Sequence, residues 1–254
     1  METLVELSIY WIIGLAFVAF AAGYIDAVAG GGGMLNLPAL LFAGVPPVSA
    51  LAVSKMSAIA GTVLAVIKYT LSKKVHWQTV MIAALPCLAA SYLGGKLALI
   101  TPATVLTWAI LICIPIALFI VLRDSTDSNE EEITNTPKTL MAITPIGFYD
   151  GILGPGTGTY MTIAVRKILK FDLLKASATI KPLNLLSNIG AGIAFILAGK
   201  VIWSIAVPML IASSIGGWLG GQSAIKGGGI FIRKILIVVL TIMLVANVYK
   251  MFIL

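Results

Sequence analysis

Charged residues are scarce in this sequence: they make up 11% of its 254 residues, whereas 59% of the residues are hydrophobic. Soluble domains contain about 25% charged residues, so this composition excludes a water-facing globular enzyme or binding domain. Apolar runs of twenty or more residues recur along the chain, and each is long enough to cross a hydrocarbon core about 30 Å thick as a helix. We therefore expect a polytopic membrane protein whose solvent is the lipid bilayer.

Catalytic and metal-binding motifs are also missing. HExxH, GxSxG, CxxC and GxxxxGK[ST] do not occur, and Cys87 and Cys113 both lie inside apolar runs. We therefore predict no enzyme, no cofactor, no metal and no disulfide. The net charge of +7 comes from Lys and Arg residues between apolar segments, where they set membrane topology, so no nucleic-acid partner is expected. The first residues, 1–7, carry no basic charge and predict a retained first helix rather than a cleaved signal.

Hydropathy and helix-breaking residues divide the chain into two sets of five apolar segments around one polar loop. The polar composition of this loop, 123–138, indicates a linker. It separates a first repeat, 1–122, from a second repeat, 139–254. The segments predicted to be helical are 7–28, 34–47, 48–71, 77–99 and 102–122 in the first repeat, and 139–156, 159–169, 175–198, 202–223 and 229–253 in the second.

The two halves repeat each other in sequence. Residues 50–98 align without a gap on residues 176–224, with 13 of 49 positions identical, including Lys55 with Lys181. Upstream, the stretch GYIDAVAGGGG that starts at Gly23 matches GFYDGILGPGT in the second half. A Lys within an apolar run is rare enough that its recurrence in register indicates a duplication, which is a frequent transporter architecture.

Charge distribution predicts that the two repeats have inverted topology. If the short segments 34–47 and 159–169 are loops, the Lys and Arg residues outside the membrane divide as seven against eight. If each short segment returns the chain to the face it came from, twelve lie on one side and three on the other. The positive-inside tendency favours the second arrangement. The predicted fold is all-α, with about eight full transmembrane helices, a short or re-entrant helix after each Gly-rich turn, both termini extracytoplasmic and a cytoplasmic linker.

Each Gly-rich turn precedes a short helix, and both are candidate binding elements. Glycine allows backbone N–H groups to face a ligand, and a helix N-terminus adds partial positive charge. Two such turns would form a pseudo-symmetric anion cradle, although glycines also let helices cross closely. The candidate residues in the turns are Gly30, Gly31, Gly32, Gly33, Gly154, Gly156, Thr157 and Gly158.

Lys55 and Lys181 are buried inside apolar runs, where a charge costs roughly 2.5–3.5 kcal/mol on insertion scales. They could face a central cavity and attract an anionic substrate, or they could pair structurally with the acidic residues that precede the turns. Those acidic residues, Asp26 and Asp150, are candidates for a coupling proton or cation, or for hydrogen bonds to the turns. The polar residues predicted to complete the site are Ser54, Ser57, Asn184 and Asn188.

Several stretches of the chain are similar to those of a known family, and they extend over nearly its full length. They are GYIDAVAGGGG, ALAVSKMSAIAGT, KVHW and YLGGKLA, with their counterparts in the second half. The chain resembles the sulfite exporter TauE/SafE family, also called the 4-toluene sulfonate uptake permease family. The resemblance implies a multi-pass inner-membrane permease for sulfite, sulfonates or other small organic anions. The second turn departs from the all-glycine pattern at Pro155 and Thr157, so the halves could contribute unequally.

The predicted function is therefore a permease for a small anion that works by alternating access. An anion channel and a non-transporting membrane scaffold remain as alternatives at this point. A homodimer is a further arrangement that the sequence leaves open.

Overall fold

The computed structural model describes residues 8–102, 104–106, 108–109, 112 and 136–253. Within these residues the chain is almost entirely helical and contains no β-strand. The described helices, numbered in chain order, are α1 Ile9–Ala29, α2 Gly33–Phe42, α3 Pro47–Leu71, α4 Trp77–Ile100, α5 Thr136–Ile152, α6 Thr157–Leu169, α7 Leu173–Leu197 and α8 Trp203–Ile253.

Five stretches are long and apolar enough to cross a membrane: α1, α3, α4, α7 and residues Trp203–Ile235 of α8. Helices satisfy every backbone hydrogen bond within the segment, which is the requirement for spanning a bilayer core without water. The prediction of an all-α, multi-pass membrane protein is confirmed. Most of the predicted segment 102–122 and of the linker 123–138 lies outside the described residues.

The ends of two helices differ most from the predicted ones. The first short helix ends at Phe42 instead of residue 47, because Gly44 has a positive φ of 83° and the sequence Pro46-Pro47 starts the next helix. Helix α5 begins at Thr136, so the last residues of the predicted linker are helical. The segments 202–223 and 229–253 both lie in α8 and are separated by a kink at Gly228, where the backbone is not helical, which agrees with the predicted break between them.

The two halves are interleaved. Helices α1 and α3 pack against α8, while α5 and α7 pack against α4, and α3 contacts α7 at the centre. The first and third helices of each half thus pack mainly against the fourth helix of the other half. The core of the molecule lies between the halves.

Small residues allow these contacts to be close. A Cβ added to Gly217 in α8 would lie 2.1 Å from the carbonyl oxygen of Gly61 in α3, and one on Gly151 in α5 would lie 2.1 Å from that of Ser91 in α4. Only glycine permits backbones to approach this closely. These small-residue positions are therefore used for packing within the chain.

Contacts along the helices show their relative directions. In α4, the Cys87 thiol and the Ser91 hydroxyl donate to the carbonyls of Leu183 and Ser187 in α7, so both members of each pair advance by four residues. In α3, the Ser57 hydroxyl donates to the Met209 carbonyl in α8, and Gly61, four residues on, contacts Ser213. Hence α4 runs parallel to α7, and α3 runs parallel to α8.

The connector between α3 and α4, residues 72–76, lies next to the junction of α6 and α7. The His76 ring packs edge-on against Phe171, with ring centroids 5.2 Å apart, and the His76 backbone N–H donates to the Thr179 hydroxyl at 3.1 Å. These two chain reversals consequently lie at the same end of the bundle.

Candidate functional site

The two Gly-rich turns meet inside the bundle. Gly30 ends α1 with a φ of 77°, and Gly154 has a φ of 91°, a left-handed conformation that favours glycine. A Cβ on Gly30 would lie 2.5 Å from the Cα atom of Gly158, so the backbones of the two turns touch directly. Side chains at this contact would separate the halves.

Helix α1 ends among buried residues, away from bulk water. The Asp26 carbonyl accepts from the Gly30 N–H at 2.7 Å, and the last three carbonyl groups of the helix lack helical partners. Side chains from α3, α6 and α7 satisfy these carbonyls. The pairs are Lys181 Nζ with Asp26 O, Tyr69 Oη with Ala27 O at 3.0 Å, Ser177 Oγ with Val28 O at 3.4 Å and Thr159 Oγ1 with Ala29 O at 3.1 Å. Three of these four donors belong to the second half, which therefore helps to hold the end of α1 in place.

Lys55 of the first half forms an ion pair with Asp150 of the second half. Its Nζ atom lies 2.7 Å from Asp150 Oδ1 and donates to Asn188 Oδ1 at 3.1 Å. The Ser187 hydroxyl donates to the other carboxylate oxygen of Asp150 at 2.6 Å. Both charged side chains are almost completely buried, at 5% and 2% exposed, which only a close partner makes tolerable.

Lys181 of the second half pairs with Asp26 of the first half. Its Nζ atom lies 3.6 Å from Asp26 Oδ2 and also donates to the Asp26 backbone carbonyl. The Thr62 hydroxyl donates to Oδ2 at 3.1 Å, and the Gly32 N–H donates to Oδ1 at 3.4 Å. Asp26 thus fixes its own glycine turn, as one of the two sequence interpretations expected.

The two ion pairs cross between the halves, and their formal charges sum to zero. Both lysines are therefore ion-paired, but the surroundings of their side chains differ. Lys55 lines a cavity between the two turns, whereas the Lys181 side chain is fully buried and holds the end of α1. Equivalent positions in the repeat have different surroundings.

The cavity between the turns brings together ten of the predicted site residues and adds three that were not in the predicted set. The predicted residues are Asp26, Gly30, Gly33, Ser54, Lys55, Asp150, Gly154, Gly158, Asn184 and Asn188, and the added ones are Leu51, Ala58 and Leu153.

The other predicted site residues do not line this cavity in the described part of the chain. Gly31 and Gly32 complete the first turn, while Gly156 has a φ of 81° and precedes Thr157, whose hydroxyl donates to the Gly154 carbonyl at 2.9 Å. Ser57 is fully buried and bonds α2 to α8 through Asn36 and Met209. Asn36 is a further polar residue of the region; as an amide within the apolar stretch GMLNLPALLF, it was visible in the sequence.

Metal-ligand clusters are not found among the described residues, where no three His, Cys, Asp or Glu side chains converge. The buried thiol of Cys87 donates to a carbonyl, and Cys113 lies outside the described residues. Oxygen, amide and ammonium groups therefore make up the chemistry of the cavity. Such a set can bind and release a small ion.

Comparison with known proteins identifies the family to which this chain is similar. The family model described as sulfite exporter TauE/SafE matches residues 15–247. No solved structure matches the chain. The chain is 36% identical over 238 residues to the probable membrane transporter protein ORF9 of Sinorhizobium sp., covering 92% of this chain and 91% of that protein. It is 34% identical over 232 residues to the probable membrane transporter protein YfcA of Escherichia coli K12, covering 90% and 86%.

A third relative, a probable membrane transporter protein of Haemophilus influenzae, is 29% identical over 235 residues and is covered to 92%. The family match extends over nearly the whole chain, and its range contains both Gly-rich turns, both lysines and both aspartates. The sequence-based expectations of a membrane transporter and of a non-enzymatic protein are confirmed. The chain belongs to the sulfite exporter TauE/SafE family of membrane transporters.

Proposed function

We propose that the chain is an inner-membrane permease that carries a small anion through the cavity between its two Gly-rich turns. The observation that carries this proposal is the ammonium group of Lys55, which is buried yet lines that cavity. A buried charge within the bundle is costly, and facing a transport path gives it a use that a purely structural residue does not have. Sulfite, an organosulfonate or a related organic anion is the proposed substrate class.

The surroundings of Lys55 support an anion. Gly33 begins α2, and Gly158 lies in the first turn of α6, so the N-termini of both short helices border the cavity. Unpaired N–H groups and the helix dipole make such ends favourable for negative charge. The amides of Asn184 and Asn188 add neutral polar groups beside Lys55.

We further propose that the two halves are inverted repeats with about eight full spans. Short connectors reverse the chain between α3 and α4 and between α7 and α8, while α3 runs with α8 and α4 runs with α7. Parallel repeats would require α3 and α8 to oppose each other. The contact of His76 with Phe171 supports the same arrangement, because inverted repeats bring these two reversals to one face.

The charge distribution gives this topology its orientation. Twelve of the fifteen Lys and Arg residues outside the proposed membrane segments fall on the face that carries the 72–76 connector. By the positive-inside tendency this face is cytoplasmic, which puts both termini outside and the 123–138 linker inside.

Alternating access is the proposed mechanism, and the position of the ion pairs supports it. Each lysine bonds an aspartate of the other half, so a rocking movement of one half changes both Lys–Asp contacts together. An anion that binds Lys55 competes with Asp150 for the ammonium group. Asp26 and Asp150 are the proposed coupling residues, because neutralising either one would release its lysine.

Transport into proteoliposomes tests the proposed function. Purified protein is reconstituted, and uptake of radiolabelled sulfite and of an organosulfonate is measured over a range of concentrations. We expect saturable uptake that Lys55→Met abolishes. Lys96→Met is the matched control, because Lys96 is an exposed lysine on α4 and its loss is expected to leave uptake unchanged. Normal uptake by Lys55→Met would contradict the proposed site, and flux that rises linearly without saturation would identify a channel.

Cysteine labelling tests the topology independently. In a background with both natural cysteines replaced by Ala, Gln78→Cys near the 72–76 connector and Ala198→Cys at the end of α7 are both exposed positions. A membrane-impermeant maleimide applied to intact cells is expected to label residue 198 and to reach residue 78 only after lysis. The opposite result, or labelling of both from outside, would contradict the inverted arrangement.

A further inference from the structure

A second and smaller cavity lies beside the Lys181–Asp26 pair. It lies where α1, α2, α3 and α8 converge. It shares Asp26 and Ala58 with the larger cavity but is lined by different polar side chains. Its lining residues are Ala22, Gly23, Asp26, Gly32, Asn36, Ala58, Gly61, Thr62 and Ser213.

Two buried oxygens that line this cavity have no hydrogen-bond partner in the described part of the chain. They are Asn36 Oδ1 and Ser213 Oγ, on residues that are 2% and 1% exposed. A buried polar atom without a partner is costly, and such atoms are rare in folded proteins. Two of them at one cavity indicate that a ligand belongs there.

The orientation of the Asn36 amide is fixed by its neighbour. The Ser57 hydroxyl donates its single hydrogen to the Met209 carbonyl, so it can only accept from Asn36. The Asn36 NH₂ group must therefore face Ser57, which leaves Oδ1 directed to the cavity. An acceptor in this position calls for a hydrogen-bond donor or a cation.

We propose that this cavity binds a sodium ion. Its polar side chains supply oxygens alone: the carboxylate of Asp26, the amide oxygen of Asn36, and the hydroxyls of Thr62 and Ser213. Hard cations are bound by carboxylate, carbonyl and hydroxyl oxygens of this kind. The C-terminal end of α1, where Asp26 lies, adds the negative end of a helix dipole. A single carboxylate, already paired with Lys181, suits a monovalent ion better than a divalent one.

The second half does not repeat this arrangement. In the gapless alignment of the halves, Ser213 corresponds to Cys87 and Gly61 corresponds to Ser187. The thiol replaces a hard oxygen, and the Ser187 hydroxyl donates to Asp150, whereas Gly61 has no side chain and lets Ser213 approach closely. The proposed sodium site therefore belongs to the Asp26 side of the pseudo-symmetric core and has no counterpart beside Asp150.

A sodium ion here would change the electrostatics of the anion cavity. The two Lys–Asp pairs are neutral together, so their net formal charge adds nothing to the attraction that the Lys55 ammonium group and the helix N-termini exert on an anion. One bound cation adds a single positive charge beside Asp26, which borders both cavities. Sodium and the anion are then expected to bind cooperatively. This cooperativity rests on the proposed anion transport, whereas the sodium site itself rests on geometry alone.

Equilibrium binding of radioactive ²²Na⁺ to the purified protein in detergent tests the site without any transport. The variant Ser213→Cys replaces one oxygen ligand by sulfur and copies the residue of the other half. Ser214→Cys is the matched control: it makes the same change at the next residue of α8, whose hydroxyl donates to the Leu210 carbonyl and does not line the cavity. Asn36→Leu removes a second ligand and provides an independent variant.

We expect saturable ²²Na⁺ binding that is competed by unlabelled Na⁺ and not by choline. Ser213→Cys and Asn36→Leu are expected to weaken binding by about tenfold or more, equivalent to about 1.4 kcal/mol, while Ser214→Cys binds normally. No saturable binding, or unchanged binding in folded, monodisperse Ser213→Cys and Asn36→Leu, would overturn the sodium site and leave water or a proton as the occupant.

The same preparations separate this inference from the proposed function. Anion uptake that depends on Lys55 but is equal in sodium and choline buffers, together with absent ²²Na⁺ binding, would refute the sodium site and leave the anion path intact. Sodium binding with no stimulation of anion uptake would retain the site and refute its coupling.

Discussion

Replacing Lys181 is expected to damage the fold more than replacing its repeat partner Lys55. The Lys181→Met substitution leaves the buried carboxylate of Asp26 without its cation and removes the side-chain donor to the Asp26 carbonyl at the end of α1. Removing one partner of a buried ion pair costs about 3–5 kcal/mol. At about 2–4 °C per kcal/mol for a chain of this size, a loss of about 3 kcal/mol lowers the melting temperature by roughly 6–12 °C.

A double substitution distinguishes this explanation from simple loss of packing. In Lys181→Met/Asp26→Asn no buried charge is left unpaired. The introduced amide oxygen can still accept from the Gly32 N–H, and its NH₂ group can donate to the Thr62 hydroxyl, which accepts as well as donates. What remains is mainly the lost hydrogen bond to the carbonyl at position 26, which is worth about 1 kcal/mol. The double variant is therefore expected to recover about 2 kcal/mol of the lost stability.

The corresponding variants at the other pair provide the comparison. Lys55 and Asp150 line the larger cavity, where water can solvate a carboxylate that has lost its partner. Lys55→Met is thus expected to lower the melting temperature by less than Lys181→Met while abolishing uptake. Melting is followed by size-exclusion chromatography of detergent-solubilised protein after heating. Equal losses at both lysines, or a double variant no more stable than Lys181→Met, would refute the different roles assigned to them.

Two further changes test the packing and the end of α1. Gly217→Ala puts a methyl group 2.1 Å from a backbone oxygen of α3, so we expect its free energy of unfolding in heating assays to fall by about 1–3 kcal/mol or more. Gly14→Ala is the control and is expected to remain stable, because its methyl group would have no atom within 4 Å. Tyr69→Phe removes the donor to the Ala27 carbonyl and is expected to cost about 1 kcal/mol. A melting temperature at or above that of the wild type in either Gly217→Ala or Tyr69→Phe would contradict these contacts.

The helix ends follow closely from sequence because the bilayer leaves few alternatives. The predicted segments 48–71 and 77–99 correspond to Pro47–Leu71 and Trp77–Ile100. In a hydrocarbon environment each apolar run must form a helix until a breaker or a polar connector ends it. Hydropathy and prolines therefore carry most of the information about these boundaries. The duplication likewise indicated that the turns and lysines would recur together.

The partners of the lysines could not be derived from the sequence. A repeat shows that Lys55 is equivalent to Lys181 and that Asp26 is equivalent to Asp150, but pairing within a half and pairing across halves are consistent with the same pattern. Which lysine pairs with which aspartate depends on the interleaved packing, in which α5 and α7 pack against α4 while α1 and α3 pack against α8. Long-range packing of this kind leaves no local signal.

Differences between the halves decide what each lysine does. Ser177 and Thr159 bond the end of α1 beside Lys181, so this lysine belongs to a set of groups that closes a helix end. Lys55 instead meets an aspartate side chain and an asparagine at the edge of the cavity. The duplicated lysine is consequently used once to hold the halves together and once to face the space between them. Because both positions already carry lysine, the two roles could be exchanged only by exchanging the residues that surround each lysine.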